Sequence, residues 1–195
     1  MLALVAAAPI DAALYFALRS NGSGSTAKTT TTANYNALPG IRRTKPPWPV
    51  EYTHLTDNLL ALGLNTGISH QGLALHFHDH LDVFVHGKKV VVPALIGIND
   101  DAYLTELHTH LTDGIVHVES ADAGKTFTLG QFFAEWPLFL NARCIGSECG
   151  LKWWVNGVRQ AGNPADLELK PHQVIVIAAG KAPKKIRSTY AWNGL

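Results

Sequence analysis

The sequence predicts an α+β fold, in which one helix packs on a mostly antiparallel β-sheet. Three observations predict it: an alternating stretch of apolar and polar residues, an Asp-Gly pair between two further alternating runs, and one amphipathic stretch. The resulting order is four strands, one helix and two strands. With 195 residues, of which 47% are hydrophobic, the chain predicts a single small domain with extensions.

The first strand is predicted from Leu73 to Val85, where apolar and polar residues alternate with the period of two that is typical of a strand. Its apolar side chains share one face of the sheet. Its other face carries His76, His78, His80, Asp82 and His86. Gly87 and Lys88 predict a turn, and the segment 89–95 predicts the second strand.

The third and fourth strands are predicted from Glu106 to Glu119, folded about Asp113 and Gly114. An Asp-Gly pair between alternating runs is a strong hairpin signal. A two-residue loop places His110 opposite His117 and His108 opposite Glu119, with all four side chains on one face.

The helix is predicted to begin after Thr128, with Gln131 in the capping-box position and Pro137 at its end. Its apolar residues follow the spacing of a helix that faces a core. The runs 152–156 and 173–178 predict the last two strands.

Three regions are predicted along the chain. Residues 1–19 form an apolar, signal-like or anchoring segment, residues 20–50 a Ser/Thr-rich and then Pro-rich tether, and residues 51–195 the β-rich domain. This order predicts an extracytoplasmic protein, secreted or held at a membrane by its N-terminal segment. The formal net charge of +1 gives no indication of nucleic-acid binding.

Cys144 and Cys149 are the only cysteines. In an oxidising compartment they would close a small disulfide loop, and in the cytosol they would be free thiols or half of a thiolate metal site. Export favours the disulfide.

The ten histidines are the unusual feature of the composition. Neighbours two apart on a strand, and residues opposite each other on paired strands, are close enough to share one ion. We therefore predict a metal site, with zinc or copper favoured over iron or manganese. Its expected ligands are His76, His78, His80, His108, His110 and His117. The remaining histidines, His54, His70, His86 and His172, are treated as isolated.

Three functions fit these residues. The first is capture, buffering or delivery of a metal ion outside the membrane. The second is a small metalloenzyme in which three histidines leave one position for water and Glu119 acts as a ligand, orienting group or base on a small-molecule substrate. The third is a binding module whose histidines sense pH.

Four motifs resemble those of a family of exported or membrane-anchored bacterial and archaeal proteins with no assigned activity. They are the segments 76–81 (HxHxHL), 107–110 (LHTH), 114–120 (GxxHxES) and 127–136 (FTLGxFFxxW). The family usually has Asp at the position of Leu111. A weaker resemblance links His76, His78 and the Glu106-Leu107-His108 run to the zinc strands of α-type carbonic anhydrases, which would imply hydration chemistry.

Overall fold

The computed structural model describes residues 34–67, 72–99 and 103–195. The predicted apolar segment 1–19, the tether up to residue 33, and His70 lie outside the described residues.

A seven-stranded sheet forms the centre of the fold, in the order β10-β9-β11-β1-β6-β5, with β2 also paired to β1. Two further strand pairs, β3 with β4 and β7 with β8, lie outside it. The strands are β1 (Leu75–Val85), β2 (Lys88–Val90), β3 (Ile98–Asn99), β4 (Tyr103–Leu104), β5 (Leu107–His108), β6 (Ile115–Ser120), β7 (Cys144–Ile145), β8 (Glu148–Cys149), β9 (Leu151–Val155), β10 (Val158–Gln160) and β11 (Val174–Ala179).

The large sheet is mostly antiparallel, as predicted, but it is mixed because it contains one parallel pair. β1 pairs with β11 in parallel, with His80 opposite Val174 and Val85 opposite Ala179, whereas the other pairs are antiparallel. A parallel pair needs a crossover connection rather than a tight turn. The long connection between β1 and β11 leaves no local signal in the sequence, so the parallel pairing could not be predicted.

The predicted helix is confirmed as α2 (Leu129–Glu135), with both hydrogen bonds of the capping box between Thr128 and Gln131. A second helix, α1 (Leu55–Leu62), was not predicted. The signal for it was present, because Leu55, Leu59 and Leu62 are buried at helical spacing and Gly63 ends the helix in the left-handed conformation.

The second strand is shorter than predicted. It ends at Val90, and the chain then turns through Pro93, which has no N–H to donate to a sheet, and Leu95, whose φ is 64°. The segment 91–97 therefore leaves the sheet.

Residues 34–50, which we assigned to the tether, contact the domain. The Trp48 side chain is buried, and its ring meets that of Trp136 edge-on at 6.2 Å. The Trp136 indole N–H donates to the Trp48 carbonyl at 2.9 Å, and the Tyr35 and Thr128 hydroxyls are hydrogen-bonded at 2.9 Å. Within the described residues the folded unit therefore begins upstream of Glu51.

The C-terminal segment lies on the face of the sheet that carries His80 and Asp82. Arg187 donates to the Asp82 carboxylate at 2.8 Å, and the Tyr190 ring stacks on His80 with centroids 4.3 Å apart. Several central residues of β1 are consequently buried on both faces of the sheet.

Cys144 and Cys149 form a disulfide that closes the β7–β8 hairpin. Disulfides persist in oxidising compartments, so the bond indicates an extracytoplasmic environment. In the part of the chain that the structure describes, no helix has the length and apolar character needed to cross a bilayer.

Candidate metal centre

The pairing of β1 with β6 brings histidines from distant parts of the sequence together. His78 lies opposite His117, and His76 lies opposite Glu119. Directly opposed residues of an antiparallel pair have Cβ atoms about 4.5–5.5 Å apart. The His78 and His117 rings accordingly meet edge-on, with centroids 4.5 Å apart.

The pairing of β5 with β6 places His108 opposite His117, and this register corrects the predicted one. The predicted register pairs His110 with His117 and His108 with Glu119, and the observed register differs from it by two residues. A shift by an even number leaves every side chain on its predicted face. The predicted face is therefore confirmed and the predicted partners are wrong.

Thr109 explains the register. Its backbone N–H donates to the Ile96 carbonyl at 3.1 Å and its carbonyl accepts from the Leu95 N–H at 2.7 Å. The Thr109 hydroxyl also accepts from the Ile96 N–H at 3.1 Å and donates to the Pro93 carbonyl at 2.8 Å. Thr109 thus pairs with the segment 93–96 instead of β6, and β5 ends at His108.

Five histidines meet on this face, and we call them the histidine cluster: His76, His78, His108, His110 and His117. They contain two groups whose three ligand nitrogens lie within 4.8 Å of one another. The first group is His76, His78 and His117, and the second group is His108, His110 and His117. Zinc–imidazole bonds are about 2.0–2.1 Å long, so nitrogens that are 4.8 Å apart must move closer together to bind one ion.

Burial favours the neutral form of two rings of the histidine cluster, His117 and His78. Desolvation, followed by the repulsion of four neighbouring histidines, lowers the pKa of His117 to about 2 from its usual 6.5. Desolvation also lowers the pKa of His78, with smaller effects from His76, His172 and His110. A neutral imidazole retains the lone pair that a metal ion needs, so the lowered pKa values favour the ligand form of these two rings.

Two rings of the histidine cluster, those of His78 and His117, each have a buried nitrogen without a hydrogen bond from the described residues. Among the described residues, no hydrogen-bond partner reaches the Nδ1 atoms of His78 and His117. A buried polar atom without a partner costs free energy, and a metal ion is one way to satisfy it.

The His108 ring is held in one orientation. Its Nδ1 lies 2.9 Å from the backbone carbonyl of Thr105. A carbonyl only accepts hydrogen bonds, so Nδ1 carries the proton and Nε2 carries the lone pair in the neutral ring. Metal-binding histidines are commonly oriented by this type of contact.

Glu119 lies between the two groups. Its Oε1 is 3.3 Å from Nε2 of His76 and 4.0 Å from Nε2 of His108, and its side chain is buried. The carboxylate is thus placed to contact rings of both groups. Its predicted catalytic role stays a prediction.

His80, the sixth predicted ligand, belongs to neither group. Its ring stacks on Tyr190, and its Nδ1 is 3.9 Å from the Asp82 carboxylate. The Asp82 carboxylate is itself paired with Lys89 at 2.7 Å and Arg187 at 2.8 Å.

His172 is a neighbour of the cluster that sequence reasoning missed. Its backbone N–H donates to the His78 carbonyl at 2.9 Å, and its ring contributes to the lowered pKa of His78. The His172 ring stacks on Trp192 with centroids 4.5 Å apart. This proximity depends on the parallel pairing of β1 with β11, which has no local sequence signal. His86 lies elsewhere, with its Nε2 3.0 Å from Glu148.

The three histidines that resemble the zinc ligands of carbonic anhydrases do not belong to one ligand group here. His76 and His78 join His117, whereas His108 belongs to the other group. Glu106 faces a separate buried polar cluster, where it accepts hydrogen bonds from Asn65, Ser120 and Lys125.

Comparison of this chain with protein-family models, with curated proteins and with solved structures found no match.

Proposed function

We propose that this protein binds a transition-metal ion, zinc or copper, through the histidine cluster and does so outside the cytoplasm. The observation that carries the proposal is the convergence of imidazoles from three strands into two groups of ligand nitrogens within 4.8 Å. Imidazole is a good ligand for both metals, and four of the five rings of the cluster are carried by paired strands of one sheet, which limits the rearrangement that binding requires.

The burial of the cluster supports a metal rather than solvated surface histidines. His78 and His108 are buried, while His76 and His110 are exposed, so each group has an inner anchor and an outer ligand that an ion can reach. The lowered pKa values of His78 and His117 keep protons from competing with the ion at these two rings. The disulfide between Cys144 and Cys149 supports a location outside the cytoplasm.

The test is elemental analysis of the full chain purified without a histidine tag, after zinc or copper loading and gel filtration. We expect at least one ion per chain. We expect His117→Ala to lower the metal content at least about tenfold, because His117 belongs to both groups. His86→Ala removes a histidine outside the cluster and should retain the full metal content. Circular dichroism checks that each variant is folded, and unchanged metal content in His117→Ala would contradict the proposal.

A small metalloenzyme is the second candidate. Each group offers three nitrogens rather than four, and zinc sites with three protein ligands commonly leave the fourth position to water. The buried Glu119 carboxylate beside His76 and His108 could act there as a base. Carbon dioxide hydration and ester hydrolysis by the zinc-loaded protein, compared with Glu119→Gln at equal zinc content, test this role. A rate no higher than that of free zinc in buffer would reject it.

A further inference from the structure

The two ligand groups are not independent, because they have one residue in common. His117 lies on β6, the middle strand of the three, with His78 across one edge and His108 across the other. Its ring centroid is 4.5 Å from that of His78, 5.0 Å from that of His108 and 4.6 Å from that of His110. The outer ligands, His76 and His110, each belong to one group only.

We propose that the histidine cluster is a two-ion centre, in which His117 and Glu119 lie between the two metal ions. This inference rests on the proposed metal-binding function and adds the number of ions and the residues that connect them. One ion takes His76 and His78, the other takes His108 and His110, and each shares the imidazole of His117.

The imidazole ring has the geometry for this role. Its two nitrogens point away from each other, so one ring can bind a separate ion through each. Binding through both nitrogens requires that the ring lose its remaining N–H proton, which passes to solvent or buffer. In the described part of the chain, the buried Nδ1 of His117 has no hydrogen-bond partner that this change would break.

Glu119 supplies the second connection. Its Oε1 is 3.3 Å from a ring of the first group and 4.0 Å from a ring of the second. A carboxylate has two oxygens and can therefore contact two ions. The negative charges of Glu119 and of the deprotonated His117 ring would offset part of the repulsion between two divalent cations.

A single ion that occupies one group at a time is the competing arrangement. It would use the same ligands, but its capacity would be one ion per chain. The two arrangements therefore differ in stoichiometry and in the effect of removing an outer histidine, and both can be measured without knowing any activity.

The test is copper and zinc loading of the untagged full chain and of the variants His76→Ala, His110→Ala, His117→Ala and His86→Ala. Elemental analysis after gel filtration gives ions per chain. We expect two ions in the parent protein and in His86→Ala, and one ion in each of His76→Ala and His110→Ala. His117→Ala should lose most of both. These substitutions, apart from His117→Ala, affect exposed histidines, so circular dichroism should show unchanged folding.

Electron paramagnetic resonance distinguishes a connected pair from two separate sites. Two copper(II) ions joined by an imidazolate couple antiferromagnetically, so the parent protein should show far fewer spins than copper ions. His76→Ala and His110→Ala should show about one spin per copper ion, since no partner ion remains. Glu119→Gln should weaken loading of both positions, whereas the control His86→Ala should retain two ions per chain.

The outcomes are separable. Saturation at one ion per chain overturns the two-ion centre and leaves the proposed function intact. Two ions with full spin intensity show separate sites and overturn the connecting role of His117. A protein that holds no metal ion overturns both proposals.

Discussion

His108 and His117 lie directly opposite each other on β5 and β6, and their rings stack with centroids 5.0 Å apart and 11° between the planes. This pair joins the two strands on the face that carries the histidine cluster. Its register depends on Thr109, which pairs with the segment 93–96 instead of β6.

The first prediction concerns Thr109. Thr109→Val keeps the shape of the buried side chain but removes both hydroxyl hydrogen bonds, which leaves the Ile96 N–H without this acceptor. We expect a loss of about 1–3 kcal/mol in the free energy of unfolding, measured by urea denaturation. Thr112→Val, at an exposed position of the same connection, should change stability by less than about 0.5 kcal/mol. Equal denaturation midpoints for the two variants would contradict the role given to Thr109.

The second prediction concerns Gly97, whose φ is 69°. A Cβ at Gly97 would lie 2.3 Å from the Leu107 carbonyl oxygen and 2.4 Å from the Thr105 hydroxyl, so Gly97→Ala must displace β5. Gly63 has a similar φ of 66° but no atom within 4 Å of an added Cβ. We therefore expect Gly97→Ala to lower the free energy of unfolding by at least about 2 kcal/mol more than Gly63→Ala. Thermal unfolding measures the difference. Similar losses of stability in the two variants would show that the close contact at Gly97 does not destabilise the fold.

The third prediction concerns the pH dependence of stability. Asp79 is buried in β1, and desolvation, opposed by the hydrogen bond from the Gln173 N–H, raises its pKa from 3.8 to about 8. The folded state therefore binds this proton more tightly than the unfolded state. The stability contributed by the protonated group is complete below about pH 4 and is lost as the pH rises to about 8.

Asp79→Asn removes the charge and retains an acceptor for the Gln173 N–H. We expect the variant to be more stable than the parent protein at pH 8, by at least about 1 kcal/mol, and close to it at about pH 4. Asp57→Asn, at an exposed position in α1, controls for the loss of one carboxylate. A gain in stability that is the same at both pH values would refute the assignment to Asp79 ionisation.

The fourth prediction concerns His80, which the sequence placed among the ligands. Its ring stacks on Tyr190 and belongs to neither group, so His80→Ala should leave the number of bound ions unchanged. His78→Ala, two residues earlier on the same face, should lower it. Elemental analysis of both variants, loaded side by side, makes the comparison. A lower metal content in His80→Ala would return His80 to the ligand set.

Local patterns in the sequence were enough to predict which face of each strand carries histidines, because side chains alternate along every strand whatever its partners. The helix α2 was predicted for a similar reason, since its capping box and apolar spacing act over a few residues. The helix α1 had the same type of signal at Leu55, Leu59 and Leu62 and was overlooked.

Tertiary structure decided which histidines meet. The shift of the β5–β6 register arises from hydrogen bonds between Thr109 and the segment 93–96, and the separation of His80 arises from Tyr190 near the C-terminus. The approach of His172 to His78 depends on a parallel pair whose strands are far apart in the chain. Alternation along a strand is set by the backbone of a few residues, whereas strand partners are chosen by contacts among distant segments, and only those contacts bring imidazoles from three strands together around His117.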